Sequence, residues 1–177
     1  MERGFVFKDK GYTFAAMKYR RLHLEELEEL KDEFIQFLAA NSIPADDWKE
    51  LKKASPEKVN GLIEMFSDIF WDKALSKIEC VELREPKRMR VVRFDKEKAS
   101  LIEVRLGSAS TLDLTQAADL QKLASGKIDP VAESPEMFTG ERKYSSERNL
   151  ELFSFIEQGA KPCKLVVWEA FKRMVKG

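Results

Sequence analysis

Histidine is nearly missing from this sequence: it occurs once, at position 23. A Ser–His or Cys–His catalytic pair would need that residue as its base. His23 follows Arg20 and Arg21 and precedes an acidic run, so it reads as a capping or surface residue at a helix start. Cysteine is scarce as well. Cys80 and Cys163 stand far apart, with no Cys-x-x-Cys spacing. One histidine, two isolated cysteines and carboxylates strung along a helix face match neither tetrahedral zinc spacing nor a calcium loop, and no metal is expected. The 8 glycines are dispersed. Gly107-Ser108-Ala109-Ser110-Thr111 places small residues after a strand but lacks the lysine of a phosphate-binding loop, so it reads as a connection. No cofactor is expected.

Long apolar runs are also absent. Cys163–Trp168 is short and is followed within a few residues by charge, far below the roughly 20 residues that span a bilayer. Residues 1–16 carry Lys8, Asp9 and Lys10 where a secretory leader would need an apolar stretch. The expectation is a cytoplasmic protein with both thiols reduced and no membrane partner. Residues 1–16 read as an N-terminal extension preceding a native start at Met17. Residues 17–177 are long enough for one domain.

Net charge is missing too, because 31 basic and 31 acidic side chains cancel. The distribution is uneven, however. Glu25, Glu26, Glu28, Glu29, Asp32 and Glu33 surround a single Lys31, whereas basic residues gather between Arg84 and Arg105. A neutral total therefore conceals an acidic helix and a basic sheet.

What is present is clear hydrophobic periodicity. Leu27, Leu30, Phe34 and Leu38 recur at helical spacing and predict a helix over 24–40, with His23 as N-cap and Glu26 as its N3 carboxylate. A short helix follows, with Ser42 as cap and Pro44 early in it. Ser55-Pro56-Glu57 opens the longest helix, whose Val59, Leu62, Ile63, Phe66, Ile69 and Phe70 make a broad stripe. Past Lys77 the period falls to two. Cys80–Glu85, Met89–Phe94 and Ala99–Leu106 predict three antiparallel strands joined by short loops. Such a meander cannot hide its apolar face alone, and the long helix is its expected cover. Thr115–Gly126 predicts a weaker helix. Residues 127–143 read as a loop with an edge strand near 136–138, and two C-terminal helices follow, starting near Ser145 and Pro162. The fold class is α+β: a helical layer on a small antiparallel meander of about three strands.

The candidate binding surface is the wet face of that meander, where Arg88, Arg90, Arg93 and Arg105 could gather. Asp68 on the long helix, with Arg148 and Asn149 at a polar helix start, are further candidate ligand contacts. An enzyme would have to run on those three residues.

Met17-Lys-Tyr-Arg-Arg-Leu22, Leu27–Leu38, Phe66-Ser-Asp-Ile-Phe-Trp71 and Tyr144-Ser-Ser-Glu-Arg-Asn149 resemble, in this order, an uncharacterised family of small, mainly Bacteroidota proteins built on one domain of unknown function. The resemblance runs over residues 17–177 and implies no activity, substrate or partner. It departs at His23, where the family usually has threonine. The expected function is a non-enzymatic interaction or adaptor protein whose partner is another protein. The alternative is an accessory protein that holds RNA or a ribosome on the basic sheet.

Overall fold

The computed structural model describes residues 17–176. They fall into two compact units, residues 17–71 and 72–176, where the sequence predicts one domain. The expectations for residues 1–16 lie outside the described residues.

The first unit is built from α1 (Leu24–Glu29), α2 (Lys31–Ala40), α3 (Ala45–Ala54) and α4 (Pro56–Leu75), whose last turn belongs to the second unit. The helix predicted over 24–40 bends at Leu30, which leaves helical geometry at φ −98°, ψ 22°. The bend is local, because Leu30 N–H still reaches the Glu26 carbonyl at 3.1 Å and Phe34 N–H reaches the Leu30 carbonyl at 2.9 Å. Pro44 is itself the N-cap of α3, and Ser42, expected as the cap, adopts φ 60° in the preceding turn. The three longer helices meet through aromatic rings: Phe34 lies 5.4 Å from Trp48 and 5.0 Å from Phe66. The stripe on α4 is less buried than its composition suggests, since Ile69 remains 51% exposed.

Residues 17–22 are tied to α4 by the polar residues of the Phe66–Trp71 segment. The Asp68 carboxylate accepts the Lys18 and Tyr19 backbone N–H groups at 3.1 and 3.0 Å. Ser67 Oγ, fully buried, accepts Leu22 N–H at 3.1 Å and donates to the Ile63 carbonyl at 2.7 Å. Trp71 Nε1–H donates to the Arg20 carbonyl at 3.1 Å, and the Arg20 guanidinium lies 4.8 Å from the Trp71 ring. Buried or half-buried backbone N–H groups outside a helix need such acceptors.

At the start of α1, Glu26 accepts His23 N–H at 2.7 Å and a two-pronged pair from Arg20 at 2.7 and 2.6 Å. The Arg20 hydrogen bonds are the chief cause that holds its carboxyl down at about 2. A carboxylate with a depressed folded pKa stabilises the fold above its unfolded value, near 4.3, and loses that contribution as pH falls through the folded pKa. Glu26→Gln is therefore expected to cost roughly 1 kcal/mol at pH 7, a half-exposed pair discounted for screening. The deficit should shrink between about pH 4.5 and 2, which chemical denaturation at stepped pH would reveal.

In the second unit, β1 (Cys80–Glu85), β2 (Arg88–Phe94) and β3 (Lys98–Arg105) form the predicted antiparallel meander. The sheet has five strands rather than three, in the order β4-β3-β2-β1-β5. β4 (Glu136–Lys143) pairs with β3 along its whole length, and β5 (Lys161–Pro162) adds a short rung to β1. β4 escapes a period-two reading because its flanks are charged and Gly140 interrupts it. Pro162 sits on an edge, where a missing N–H is tolerated.

Met89, Val91, Ile102 and Val104 point to one face, under α8 (Leu165–Lys176) with its Trp168 and Phe171, and under α5 (Ala117–Ala124) with Leu123. The helical cover that the sequence assigns to α4 is supplied on this face by α8 and α5. Two segments complete the unit: α6 (Pro130–Glu133), a single turn, and α7 (Arg148–Glu157). Phe155 of α7 meets Phe94 edge to face at 5.7 Å on the opposite side of the sheet.

Candidate functional site

Strand alternation divides the four predicted arginines. In the β1–β2–β3 register Arg90 stands opposite Leu83 and Glu103, and Arg88 opposite Glu85 and Arg105. Arg88, Arg90 and Arg105 therefore share the face that also carries Val92, Leu101 and Glu103. Arg93 is an odd number of residues from them along β2 and lies on the other face, 2.9 Å from Asp95. The three that come together do not form a bare basic strip. Glu103, buried at the centre, pairs with Arg105 and lies 3.5 Å from Arg88. Glu85 lies 3.4 Å from Arg88 and 3.8 Å from Arg90. The face is a ladder of alternating sign.

Beside this ladder the same face opens into a cleft of about 320 Å³. Val92, Ala99 and Leu101 make its floor and Phe155 one wall, while Arg90, Glu103, Glu141 and Arg142 stand around it. Gly140, paired with Leu101, gives the cleft its depth: a Cβ added there would meet nothing within 4 Å. The rim charges are already paired within the unit. Glu141 accepts Lys98 Nζ at 2.6 Å, and Arg142 lies 2.6 Å from the Glu151 carboxylate. Arg142 is nonetheless 57% exposed, leaving guanidinium N–H donors available. Arg142, Gly140 and Phe155 were not legible as site residues. Arg142 lies in a segment read as loop, and Phe155 lies in the helix predicted to start near Ser145, with no signal that sets it apart.

Of the three further candidates, Arg148 and Asn149 meet each other at the start of α7. Asp68 lies in the first unit, on the backbone N–H groups already described. Arg148 spreads its guanidinium over three backbone carbonyls: Leu75 at 3.3 Å, Phe94 at 3.2 Å and Ile78. Asn149 Oδ1 accepts from Arg148 at 3.0 Å, and its Nδ2 lies 3.4 Å from the Asp72 carbonyl and carboxylate. Tyr144 completes that segment, its hydroxyl within 2.7 and 2.9 Å of the Asp95 and Lys98 carbonyls across the β2–β3 turn. Glu151 accepts Ser145 N–H at 2.5 Å and Ser146 N–H at 3.2 Å. Burial alone would raise its pKa, but the Ser145 N–H and Arg142 outweigh that and hold it below the usual range.

The small-residue connection after β3 wraps a carboxylate of its own. Glu133 accepts the Ser110 hydroxyl, the Thr111 hydroxyl at 2.9 Å and the Thr111 N–H at 3.1 Å. The Ser110 hydrogen bond is the leading cause that lowers its pKa. The donors a phosphate would need are thus occupied by this side chain. Among the described residues, no cluster of three or more His, Cys, Asp or Glu is placed to hold a metal, and no helix is long and apolar enough to cross a membrane.

A family model described as a family of unknown function (DUF6495) matches residues 17–176. No curated protein and no solved structure matches the chain.

Proposed function

We propose that this chain, which belongs to the family of unknown function DUF6495, is a non-enzymatic protein-interaction module acting in the cytoplasm, and that its docking site is the sheet-face cleft around Gly140. The partner is a protein segment that offers apolar side chains to Val92, Leu101 and Phe155 and a carboxylate to Arg90 or Arg142. The observation that carries this reading is an apolar floor set between two arginines on one face. Apolar floors with a few placed polar groups are the usual form of a recognition site, and arginine is favoured at such contacts because its planar fork matches a carboxylate. The interleaved acids favour a protein segment over RNA, because a phosphate backbone would meet Glu85 and Glu103 at the same spacing as Arg88 and Arg90.

Peptide phage display against the immobilised full chain tests the reading. Enriched peptides are expected to combine apolar residues with Asp or Glu. Arg90→Glu should weaken the best of them about tenfold or more, as truncating or reversing a charged contact commonly does. Gly140→Leu, whose Cβ would meet nothing within 4 Å and whose branch would enter the cleft, should abolish binding. Peptides of basic character, or affinity unchanged in both variants, would sink the cleft as a docking site. Retention of an RNA homopolymer that falls steeply with salt and is lost in Arg88→Glu would transfer the function to nucleic acid.

A further inference from the structure

β4 has eight residues, is paired on one side only among the described residues, and stands at the end of the sheet. Exposed edges are commonly blunted by charge or proline within the strand. The charges of β4 sit at its ends instead: Glu136 at one, and Glu141, Arg142 and Lys143 at the other. Met137, Phe138, Thr139 and Gly140 between them carry none. Phe138 is 41% exposed, with the Arg105 guanidinium 4.5 Å from its ring, and the space above Gly140 is empty.

We propose that this edge pairs antiparallel with β4 of a second copy of the chain, about a two-fold axis through Thr139. The register follows from symmetry and charge. A two-fold axis normal to a sheet returns each side chain to its own face, so residues can face each other only when their positions differ by an even number. Three such registers keep the strand's centre paired. Centring on Phe138 sets Glu136 against Gly140 and leaves every charge without an opposite. Centring on Gly140 sets Phe138 against Arg142 and Met137 against Lys143. Centring on Thr139 sets Glu136 against Arg142 and Phe138 against Gly140, each twice by symmetry. Only the last places opposite charges face to face, and it lays an exposed aromatic ring over a glycine with room for it. Arg142 keeps its bond to Glu151 and has N–H donors to spare for the partner's Glu136. The pairing sets the second copy's Phe138 in the space above Gly140, so dimer formation and peptide docking compete at that end of the cleft.

This inference does not rest on peptide binding, and Arg90→Glu, on β2 two strands in from the edge, should leave it unaffected. Sedimentation velocity of the full chain at about 100 μM is expected to show a species of twice 20.4 kDa, the outcome for a Kd near or below about 10 μM. Glu136→Arg, which sets arginine against arginine at both ends, should raise the dissociation constant about tenfold. Thr139→Cys should form a covalent dimer on mild oxidation, with the 139–139 link found by peptide mass mapping. A monomer at 100 μM would overturn the proposal. So would a dimer indifferent to Glu136→Arg that yields no 139–139 link.

Discussion

Arg148→Ala is expected to lower stability by about 3 kcal/mol, from charge-assisted hydrogen bonds lost at three carbonyls in a half-buried site, or roughly 6–12 °C in Tm for a chain of this length. The guanidinium reinforces a junction already tied by two backbone bonds, Ile78 N–H to the Leu75 carbonyl at 3.1 Å and Phe94 N–H to the Glu79 carbonyl at 2.8 Å. Leu75 ends α4, Ile78 lies in the turn that follows, and Phe94 ends β2. The last carbonyls of a helix have no partner inside it, and here one side chain supplies donors to them and to the end of a strand at once. Planarity is what makes this work, because N–H groups fixed in one plane can serve several acceptors that a single ammonium cannot span. Arg148→Lys should therefore recover less than half of the loss, about 1 kcal/mol, even though it keeps the charge. Asn149→Ala should cost less than Arg148→Ala, since its 3.4 Å contacts are longer. Urea denaturation of the three variants would rank them. A loss fully rescued by lysine would mean that charge, rather than the fork, holds the junction.

That junction also shows how far the sequence can be read. Arg148 and Asn149 stand out as a polar pair at a helix start, as Asp68 does on the long helix, and residue types alone cannot separate ligand contacts from backbone clamps. The distinction lies in what faces each side chain. Carbonyls and N–H groups from residues some 50 to 77 positions away meet these side chains only once the chain has folded. The meander was legible because its strands follow one another through short turns and alternate cleanly. β4 was only glimpsed at residues 136–138, because an edge strand exposed on nearly all positions has no apolar face to display. The basic quartet was misleading for a related reason. Charge counted along the chain ignores that Arg93 turns to the other face and that Glu85 and Glu103 stand between the remaining three. The cleft needs Arg142 from β4 and Phe155 from α7 brought to the β2–β3 surface, a placement set by tertiary packing.

Oxidation is expected to join Cys80 and Cys163 and to raise stability by up to about 4.5 kcal/mol, the loop-closure value for a segment of this length. The two residues are 83 positions apart, yet their sulfurs lie 2.8 Å from each other. The β1–β5 rung, with Val81 opposite Pro162 and Cys163 N–H on the Cys80 carbonyl at 2.9 Å, sets the two side chains as direct neighbours across the strands. Both are free thiols. The Cys80 thiol is pushed far up by its bond to Cys163 and by burial, so it is a poor first nucleophile. A small aromatic disulfide should thus react first at the half-buried Cys163. Cys163 expels one aromatic thiolate and Cys80 then expels the second, so that two protein thiols are oxidised, one reagent disulfide is reduced to two aromatic thiolates, and the two thiol protons are released. The reaction should be slow at neutral pH and quicken as the pH rises. Thiol titration should fall from two groups to none, the oxidised chain should migrate faster in a non-reducing gel, and Cys163→Ser should abolish both changes. Two reactive thiols that persist after prolonged oxidant treatment at alkaline pH would show that β1 and β5 do not hold these sulfurs together.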